Sequence, residues 1–314
     1  MTKIEIKIKN AMLCMTRQCW EQGIAAEALL ETEDFDSLGI VVYDMVLRQS
    51  EDGRLCNVEN TPAVTDSSFC IPPVFLYGKM VKNTHYLKAA EKNMEYLLHQ
   101  AERTEDGILF HIRGTNEIWA DSAAFLPYSM ALLGHPEEGV SQMKGILRKL
   151  RSKTGCYYHK WDEKEKNWPR KVEWGIGNGW ILTGLLRLYT VLPDESPGKR
   201  EILDTYRELL DAILSCESRE HLFHDSLDEP DSFLETEVSE MAAYAIYRGI
   251  EEGMIGNAYL PRADQIRKAV YPKIDEFGRL KDSSSSPCFS SPGTSVESQA
   301  HFLMMEQAYR RMKR

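Results

Sequence analysis

The feature of this sequence that most constrains its fold is a turn that recurs after every second helix-length segment. Between the turns, apolar residues recur at three- and four-residue spacing, which is the pattern of an amphipathic helix. The turns are centred on Gly53, Gly107, Gly155, His221 and Gly278, at intervals of 54, 48, 66 and 57 residues. A recurring interval of about fifty residues is typical of an array of helical hairpins.

This spacing predicts twelve helices, which form five hairpins inside the chain and a sixth between the last helix and the first. An open array would end in polar capping helices, but both terminal helices carry apolar stripes, at residues 11–13 and 302–305. We therefore predict an all-α fold in which six hairpins close into an (α/α)6 toroid with a funnel at one end. The predicted helices span residues 3–16, 20–31, 36–50, 66–81, 84–102, 120–133, 136–151, 176–193, 198–216, 233–252, 261–275 and 294–313.

Composition and charge restrict the domain organisation and the partners. No linker rich in Pro, Gly or Ser divides the chain, so residues 1–314 are expected to form a single domain. The chain has 38 Lys and Arg against 48 Asp and Glu, and its formal net charge of −10 repels a phosphate backbone, so nucleic acid is not an expected partner. No apolar stretch is long enough to cross a bilayer, and residues 1–9 alternate charge with Ile instead of forming a secretion signal. We predict a cytoplasmic protein, monomer or homodimer, without a membrane partner.

The sequence lacks the standard signatures of nucleotide, metal and serine-hydrolase sites. It contains no P-loop, HExxH or GxSxG motif, and the glycines of Trp174 to Trp180 form GxGxG without a preceding strand. The seven cysteines include no CxxC pair, and the acidic stretch from Asp225 to Asp231 is interpreted as a solvated loop. Neither a metal site nor a cofactor is predicted.

Aromatic and acidic residues instead collect at the starts of alternate helices, at the end expected to face the funnel. Sugar rings stack on Trp and Tyr, while sugar hydroxyls need carboxylate, His and Asn partners. Glycosidic chemistry also needs a carboxyl acid. These requirements point to a small oligosaccharide as substrate. The candidate residues are Trp20, Asp66, Trp119, Asp121, His159, Trp174, Asn178 and Trp180.

Each candidate also has a purely structural interpretation. Asp66 and Asp121 could cap helices, because an N-terminal Asp accepts backbone N–H bonds. Trp119 and Phe125 could instead wall Asp121 off from water, which would raise its carboxyl pKa toward neutrality. His159 could bind a hydroxyl or serve as a hydrogen-bonded structural residue.

The run from Trp174 to Trp180 has two interpretations as well. It could be a glycine-rich turn with two packing tryptophans. Alternatively, its glycines could let the backbone approach a ligand while the tryptophan rings stack on sugar faces.

Six segments of the chain carry a family resemblance. They are Trp20-Glu21-Gln22-Gly23, Trp119-Ala120-Asp121 with Pro127, Tyr158-His159-x-Trp161-Asp162, Trp174-Gly-x-Gly-Asn178-Gly-Trp180, residues 227–236 and Ser295-x-Glu297-x-Gln299-Ala300. In this order, they resemble the unsaturated glycuronyl and rhamnogalacturonyl hydrolases of glycoside hydrolase family 105, relatives of family 88, in the six-hairpin glycosidase superfamily. The resemblance covers nearly the whole chain, and it implies the (α/α)6 toroid. It also implies removal of a 4,5-unsaturated uronic acid from the non-reducing end of lyase-generated oligosaccharides, by hydration of the C4=C5 enol ether.

The resemblance also implies roles for individual residues. Asp121 matches the catalytic aspartate, a general acid and base, and Asp66 matches a second carboxylate that positions substrate or raises the pKa of Asp121 as a like charge. The implied substrate ligands are Trp20, Trp119, His159, Trp174, Asn178 and Trp180.

One position departs from the family pattern. Many members carry Arg where this chain has Ile176, and Arg there helps to bind the substrate carboxylate, which Ile cannot do. Asn178 or hydroxyl groups could replace that contact, as could the nearby cations Arg113, Lys160, Arg170 and Lys171. Two alternatives therefore stay open: other sugar chemistry on the same toroid, by an ordinary glycosidase or an epimerase, and a catalytically inactive carbohydrate-binding homologue.

Overall fold

Twelve α-helices are found in residues 1–58, 61–285 and 288–313, the part of the chain that this computed structural model describes. Every predicted helix is present, with ends that differ by a few residues. Two inner helices are preceded by short 3-10 turns, Asp66–Cys70 and Ala120–Ala123. The helices are α1 Lys3–Met15, α2 Cys19–Glu31, α3 Phe35–Leu47, α4 Ile71–Met80, α5 Thr84–His99, α6 Leu126–Leu132, α7 Pro136–Leu150, α8 Gly175–Val191, α9 Lys199–Ser215, α10 Thr236–Glu251, α11 Leu260–Val270 and α12 Val296–Met312.

The even-numbered helices form a closed inner ring. In chain order each packs on the next, from α2 through α4, α6, α8 and α10 to α12, and α12 packs back on α2. The odd-numbered helices lie outside, and α1 completes the last hairpin by packing on α12. The predicted (α/α)6 toroid is confirmed.

The inner and outer helices differ in how their apolar residues are distributed. In α8 every residue from Gly175 to Leu188 is buried, whereas α9 buries one stripe that includes Ile202, Tyr206 and Leu210. A helix that is apolar all round is stable only inside the protein, and an amphipathic one covers it from outside. The burial pattern therefore places α8 in the inner ring and α9 in the outer ring.

A close approach between α8 and the 120–123 turn depends on Gly184. A Cβ atom at this position would overlap the carbonyl oxygen of Ala123, which is backbone and cannot rotate away. Gly184→Ala is therefore expected to lower the free energy of unfolding by about 1–3 kcal/mol, the usual cost of overpacking. Urea denaturation measures this change.

The matched control for Gly184→Ala is Gly256→Ala. Gly256 has a φ of −88° and open space where its Cβ would lie. Its substitution is expected to change the free energy of unfolding by less than about 0.5 kcal/mol. Equal effects of the two substitutions would contradict the packing argument.

Three small antiparallel sheets lie in the loops between helices. The first joins β1 Glu117–Trp119, β2 Lys160–Asp162 and β3 Asn167–Arg170, and it places Trp119 opposite Lys160 and Lys160 opposite Arg170. The others are β4 Phe223–His224 with β5 Leu234–Glu235, and β6 Ser283–Ser285 with β7 Cys288–Gly293. None of these strands was predicted, because strands this short show no two-residue periodicity.

Within the described ranges, no helix combines the length and the apolar character needed to span a membrane. The six cysteines described there are free thiols, and four of them are buried. Cys288 is the seventh, and its side chain lies outside the described part.

Candidate active site

A pocket opens where the N-terminal ends of the six inner helices meet. Its cavity volume is about 240 Å³. Each inner helix or the turn before it contributes at least one side chain, so the site exists only when the ring is closed. The lining residues are Trp20, Thr61, Ala63, Asp66, Phe69, His111, Ile112, Trp119, Asp121, Trp174, Ile176, Trp180, Glu237, Ser284 and Glu297.

Most of the residues predicted for the site do meet there. Six of the eight candidates line the pocket, namely Trp20, Asp66, Trp119, Asp121, Trp174 and Trp180. His159 lies directly behind Asp121, and Asn178 lies in the packing beneath the pocket. The roles of these residues in binding and catalysis stay predictions.

Asp121 faces a buried imidazole whose tautomer is set by a neighbouring cation. His159 Nε2 lies 3.3 Å from Asp121 Oδ2, and Arg170 Nη1 lies 2.9 Å from His159 Nδ1. A guanidinium has donors only, so Nδ1 must accept and the imidazole proton must be on Nε2. The N–H of His159 therefore faces the Asp121 carboxylate.

The pKa of Asp121 is lowered to about 2, so the predicted increase is wrong. Burial by itself would raise it, but His159 and His111 beside the carboxylate outweigh that effect. Burial also lowers the pKa of His111, to about 4, and that of His159. Near neutral pH, Asp121 is therefore a carboxylate beside two neutral imidazoles.

The pKa of Asp66 shifts in the opposite direction to that of Asp121. Its side chain is buried, and burial, together with the charges of Asp121 and Glu297, raises its pKa to about 8. The sequence analysis expected the charge of Asp66 to raise the pKa of Asp121. The structure shows the reverse, because the charge of Asp121 raises the pKa of Asp66. Between pH values of about 2 and about 8, Asp66 therefore holds its proton while Asp121 is ionised.

Neither aspartate is a helix cap. Both lie in 3-10 turns, and the cap positions of those turns, Thr65 and Trp119, make no side-chain capping bond. The turn of Asp66 is held instead by Thr65 Oγ1, which lies 2.7 Å from His111 Nδ1. His111 stacks on Trp119 with ring centroids 4.3 Å apart, and its Nε2 lies 3.4 Å from Asp66 Oδ1.

The apolar wall differs from the predicted one. Phe125 is fully buried and does not line the pocket, whereas Trp119 does. Phe125 supports Phe69, whose ring centroid lies 4.5 Å away and which itself contacts Trp180. Phe69 therefore provides the apolar surface that was expected of Phe125.

Within the run from Trp174 to Trp180, Asn178 and Gly179 serve in packing. The Asn178 amide donates to the backbone carbonyls of Tyr157 and Trp174 and accepts from the Tyr157 N–H. A Cβ at Gly179 would overlap the side chain of Met241, so this glycine admits a neighbouring helix. The structure therefore does not favour the predicted contacts of Asn178 and the glycine backbone with a ligand.

Two acidic residues of the pocket, Glu237 and Glu297, were not among the site residues predicted from the sequence. Glu237 accepts hydrogen bonds from the hydroxyls of Ser283 and Ser295, at 3.1 and 2.9 Å, and Glu297 accepts one from Trp20 Nε1 at 2.9 Å. Burial is the main cause that raises the pKa of each to about 8. Both occupy the second position of an inner helix, so the rule that selected Asp66 and Asp121 could have found them.

Asp225 is not the solvated residue that the sequence predicted. It is 4% exposed, and it accepts hydrogen bonds from Trp174 Nε1, at 3.2 Å, and from the hydroxyl of Ser284. These contacts fix the orientation of the Trp174 ring. Among the described residues, no group of three His, Cys, Asp or Glu side chains is placed to hold a metal ion.

Comparisons with known proteins agree with this architecture. The model of Glycosyl Hydrolase Family 88 matches residues 5–292. Unsaturated rhamnogalacturonyl hydrolase YesR of Bacillus subtilis is 28% identical over 280 residues, which cover 83% of this chain and 77% of that protein.

Solved structures show the same fold at low sequence identity. A family 105 glycoside hydrolase from C. acetobutylicum superposes with a TM-score of 0.82 at 18% identity, over 99% of this chain and 100% of that one. A family 88 glycosyl hydrolase from Bacteroides vulgatus gives 0.79 at 15% identity, over 98% and 97%. The predicted family resemblance is confirmed.

Proposed function

Because this chain belongs to glycosyl hydrolase family 88, we propose that it removes a 4,5-unsaturated uronic acid from the non-reducing end of oligosaccharides made by polysaccharide lyases. The observation that carries this proposal is a pocket walled by tryptophans that holds an ionised Asp121 and a protonated Asp66. The similarity to an unsaturated rhamnogalacturonyl hydrolase supports it. No relative reported above supports an ordinary glycosidase or an epimerase.

The reaction requires one proton donor and one water. Protonation of C4 moves the double-bond electrons and leaves positive charge at C5, which the ring oxygen stabilises. Water adds at C5 and loses a proton, and the resulting hemiketal opens and expels the rest of the saccharide. We assign the proton transfer to Asp121, whose carboxylate then accepts the proton of the water.

The carboxyl pair accounts for the supply of the proton. In the free protein Asp66 holds it, and Asp121 is ionised. The substrate brings a carboxylate, and a like charge near Asp121 raises the pKa of that residue. We propose that the substrate carboxylate lies close enough to Asp121 to favour a proton there, where the reaction needs it.

The remaining pocket residues suit a sugar ring. Trp20, Trp119, Trp174 and Trp180 line the pocket, and we assign them to contacts with apolar sugar faces. His159 is a positioning residue, because it touches Asp121 from behind and does not line the pocket. We also propose that the protein acts in the cytoplasm as a monomer or homodimer.

The direct test follows the ultraviolet absorbance of the conjugated uronate. The protein is incubated with lyase digests of pectin, of glycosaminoglycans and of other uronic polysaccharides, and the absorbance is expected to fall on at least one digest because hydration destroys the chromophore. The responding digest identifies the substrate class. A folded protein that leaves the absorbance of every digest unchanged would contradict the proposal.

A further inference from the structure

His111 lies between the two 3-10 turns that carry Asp66 and Asp121. Its backbone N–H donates to the carbonyl of Glu117 at 2.8 Å, and its own carbonyl accepts from the N–H of Val64 at 2.8 Å. Val64 shortly precedes the turn of Asp66, and Glu117 shortly precedes that of Asp121. The backbone of His111 is therefore held on both sides, and its imidazole lines the pocket between the two turns.

The hydrogen bonds at Nδ1 determine the tautomer of His111. Nδ1 lies 2.7 Å from Thr65 Oγ1 and 3.0 Å from Ser122 Oγ, and the two hydroxyl oxygens lie 3.0 Å apart. Within the part of the chain that the structure describes, these two buried hydroxyls have no further hydrogen-bond partner. The three groups must therefore accept both hydroxyl protons among themselves.

Only one tautomer places both hydroxyl protons. If Nδ1 is unprotonated, one hydroxyl donates to Nδ1 and the other donates to that first hydroxyl, so no donor is left over. If Nδ1 carried a proton, it would donate to one hydroxyl, and one hydroxyl proton would be buried without an acceptor. The proton of the neutral His111 ring is therefore on Nε2.

Nε2 of His111 faces Asp66. The distance from Nε2 to Asp66 Oδ1 is 3.4 Å. Burial lowers the pKa of His111 to about 4, so the ring is neutral at neutral pH. His159 presents its Nε2–H to Asp121 in the same way, at 3.3 Å. Each aspartate of the pocket therefore faces one imidazole N–H.

The two aspartates differ in charge, and the reaction exchanges that charge. In the free protein Asp121 is ionised and Asp66 holds a proton. When this proton moves to Asp121, the negative charge moves to Asp66 and the total charge of the pocket is unchanged. A buried carboxylate is costly without a donor. The Nε2–H of His111 is placed to be that donor, and a charge-assisted bond would shorten the separation to about 2.8 Å.

The other ionisable groups around Asp66 do not stabilise a charge on it. Asp121 and Glu297 are acidic and raise its pKa. Burial raises the pKa of the nearby Cys19 thiol, which is therefore neutral and adds no charge. The ionisable groups that act on His111 itself are Asp121, His159 and Lys160.

On this geometry we propose that His111 is a positioning residue, which donates its Nε2–H to Asp66 and stabilises the carboxylate that remains there after the proton has moved to Asp121. C4 of the substrate then takes the proton from Asp121, and Asp121 takes a proton from the water that adds at C5. This proton returns to Asp66 when the product leaves, so no net proton is consumed. The inference rests on the proposed function, since proton delivery by Asp121 is part of it.

The first test needs no substrate. Nitrogen NMR of the protein labelled in histidine reports which ring nitrogen carries the proton, and the signal of His111 is the one that His111→Phe removes. We expect the proton on Nε2 at neutral pH. A proton on Nδ1 would overturn the inference whether or not the protein is active.

The second test compares His111→Phe with His111→Gln. Phenylalanine can still stack on Trp119, as the imidazole does at 4.3 Å, but it has no N–H, whereas the glutamine amide can donate to Asp66. His111→Phe is expected to lower kcat by about 10- to 100-fold, the loss of one hydrogen bond to a charged group. It should also move the alkaline limb of kcat/KM above a pH of about 8, because an ionised Asp66 loses its donor.

His111→Gln should restore the position of the alkaline limb and most of kcat. His85→Phe, the same substitution at an exposed position of α5, should leave both at the wild-type values. A wild-type kcat and pH profile in His111→Phe would overturn the inference. So would equal losses in His111→Phe and His111→Gln, which would indicate a purely structural role.

A titration of Asp66 separates this inference from the proposed function. If the wild-type protein leaves every digest unchanged, the proposed function fails, but the contact between His111 and Asp66 can still be measured. Carboxyl NMR of protein labelled in aspartate should then show Asp66 titrating at a higher pH in His111→Phe than in the wild type. Titration at the same pH in both proteins would overturn the inference.

Discussion

Asp121→Asn is expected to lower kcat by about 10²- to 10⁴-fold, the usual contribution of general acid–base catalysis. The amide has nearly the shape of the carboxylate and can still accept the N–H of His159, but it cannot deliver a proton to C4. Binding of the substrate should persist. The measurement is the rate of absorbance loss on the responding digest at saturating substrate.

Asp162→Asn is the matched control for this loss of activity. Asp162 lies on the neighbouring strand β2 outside the pocket, and its carboxylate accepts backbone N–H bonds from Lys164 and Glu165, which an amide oxygen also accepts. Its kcat should match the wild type. Urea denaturation should show that both variants are folded under the assay conditions, and near-normal turnover in Asp121→Asn would show that another group donates the proton.

Asp66→Asn is expected to reduce kcat/KM at neutral pH by a similar factor and to move the pH profile toward acid. In the wild type the pair holds a proton up to a pH of about 8, so kcat/KM should fall as pH rises through that value. Without the Asp66 proton, Asp121 must be protonated from another source, and its pKa of about 2 leaves almost none of its acid form at neutral pH. Activity should then increase as pH falls.

The pH profile of kcat/KM, measured over the range in which the protein stays folded, checks this result. An Asp66→Asn variant that keeps the wild-type profile and its alkaline limb would show that another acid of the pocket, such as Glu237, supplies the proton. A variant that is inactive at every pH would show that Asp66 does more than supply the proton to Asp121.

The same pKa shift makes a second, independent prediction about stability. A carboxyl whose pKa is raised by folding stabilises the protein fully below its unfolded pKa and loses that contribution as pH rises toward about 8. Asp66→Asn removes this group, so its free energy of unfolding should depend less on pH than that of the wild type. Urea denaturation at acidic and neutral pH compares the two dependences.

Much of the architecture could be predicted because its determinants are local. Helical periodicity lies within single segments, and the turn at Gly53 or Gly107 is specified by a few neighbouring residues. The apolar terminal helices indicated closure of the ring, which α12 achieves by packing on α2. Asp66 and Asp121 could be selected because each begins an inner helix, and all inner helices begin at the same end.

The protonation of the site could not be predicted from the same information. Asp66 and Asp121 looked equivalent in the sequence, each beginning a helix near aromatic residues. Only the tertiary structure faces Asp121 with His159 and leaves Asp66 beside acidic groups, so their pKa values move in opposite directions. A pKa depends on the groups that surround a carboxyl in space.

The sequence by itself therefore determined the helices, their closure into a toroid and the end at which the site forms. The tertiary structure alone decided that Glu237 and Glu297 join the pocket, that Asn178 is used in packing, and that Lys160 and Arg170 lie side by side. Periodicity records which face of an element is buried, and this is a property of the segment itself. Burial, charge and hydrogen bonding at the pocket arise between segments far apart in the chain, and they exist only once the ring has closed.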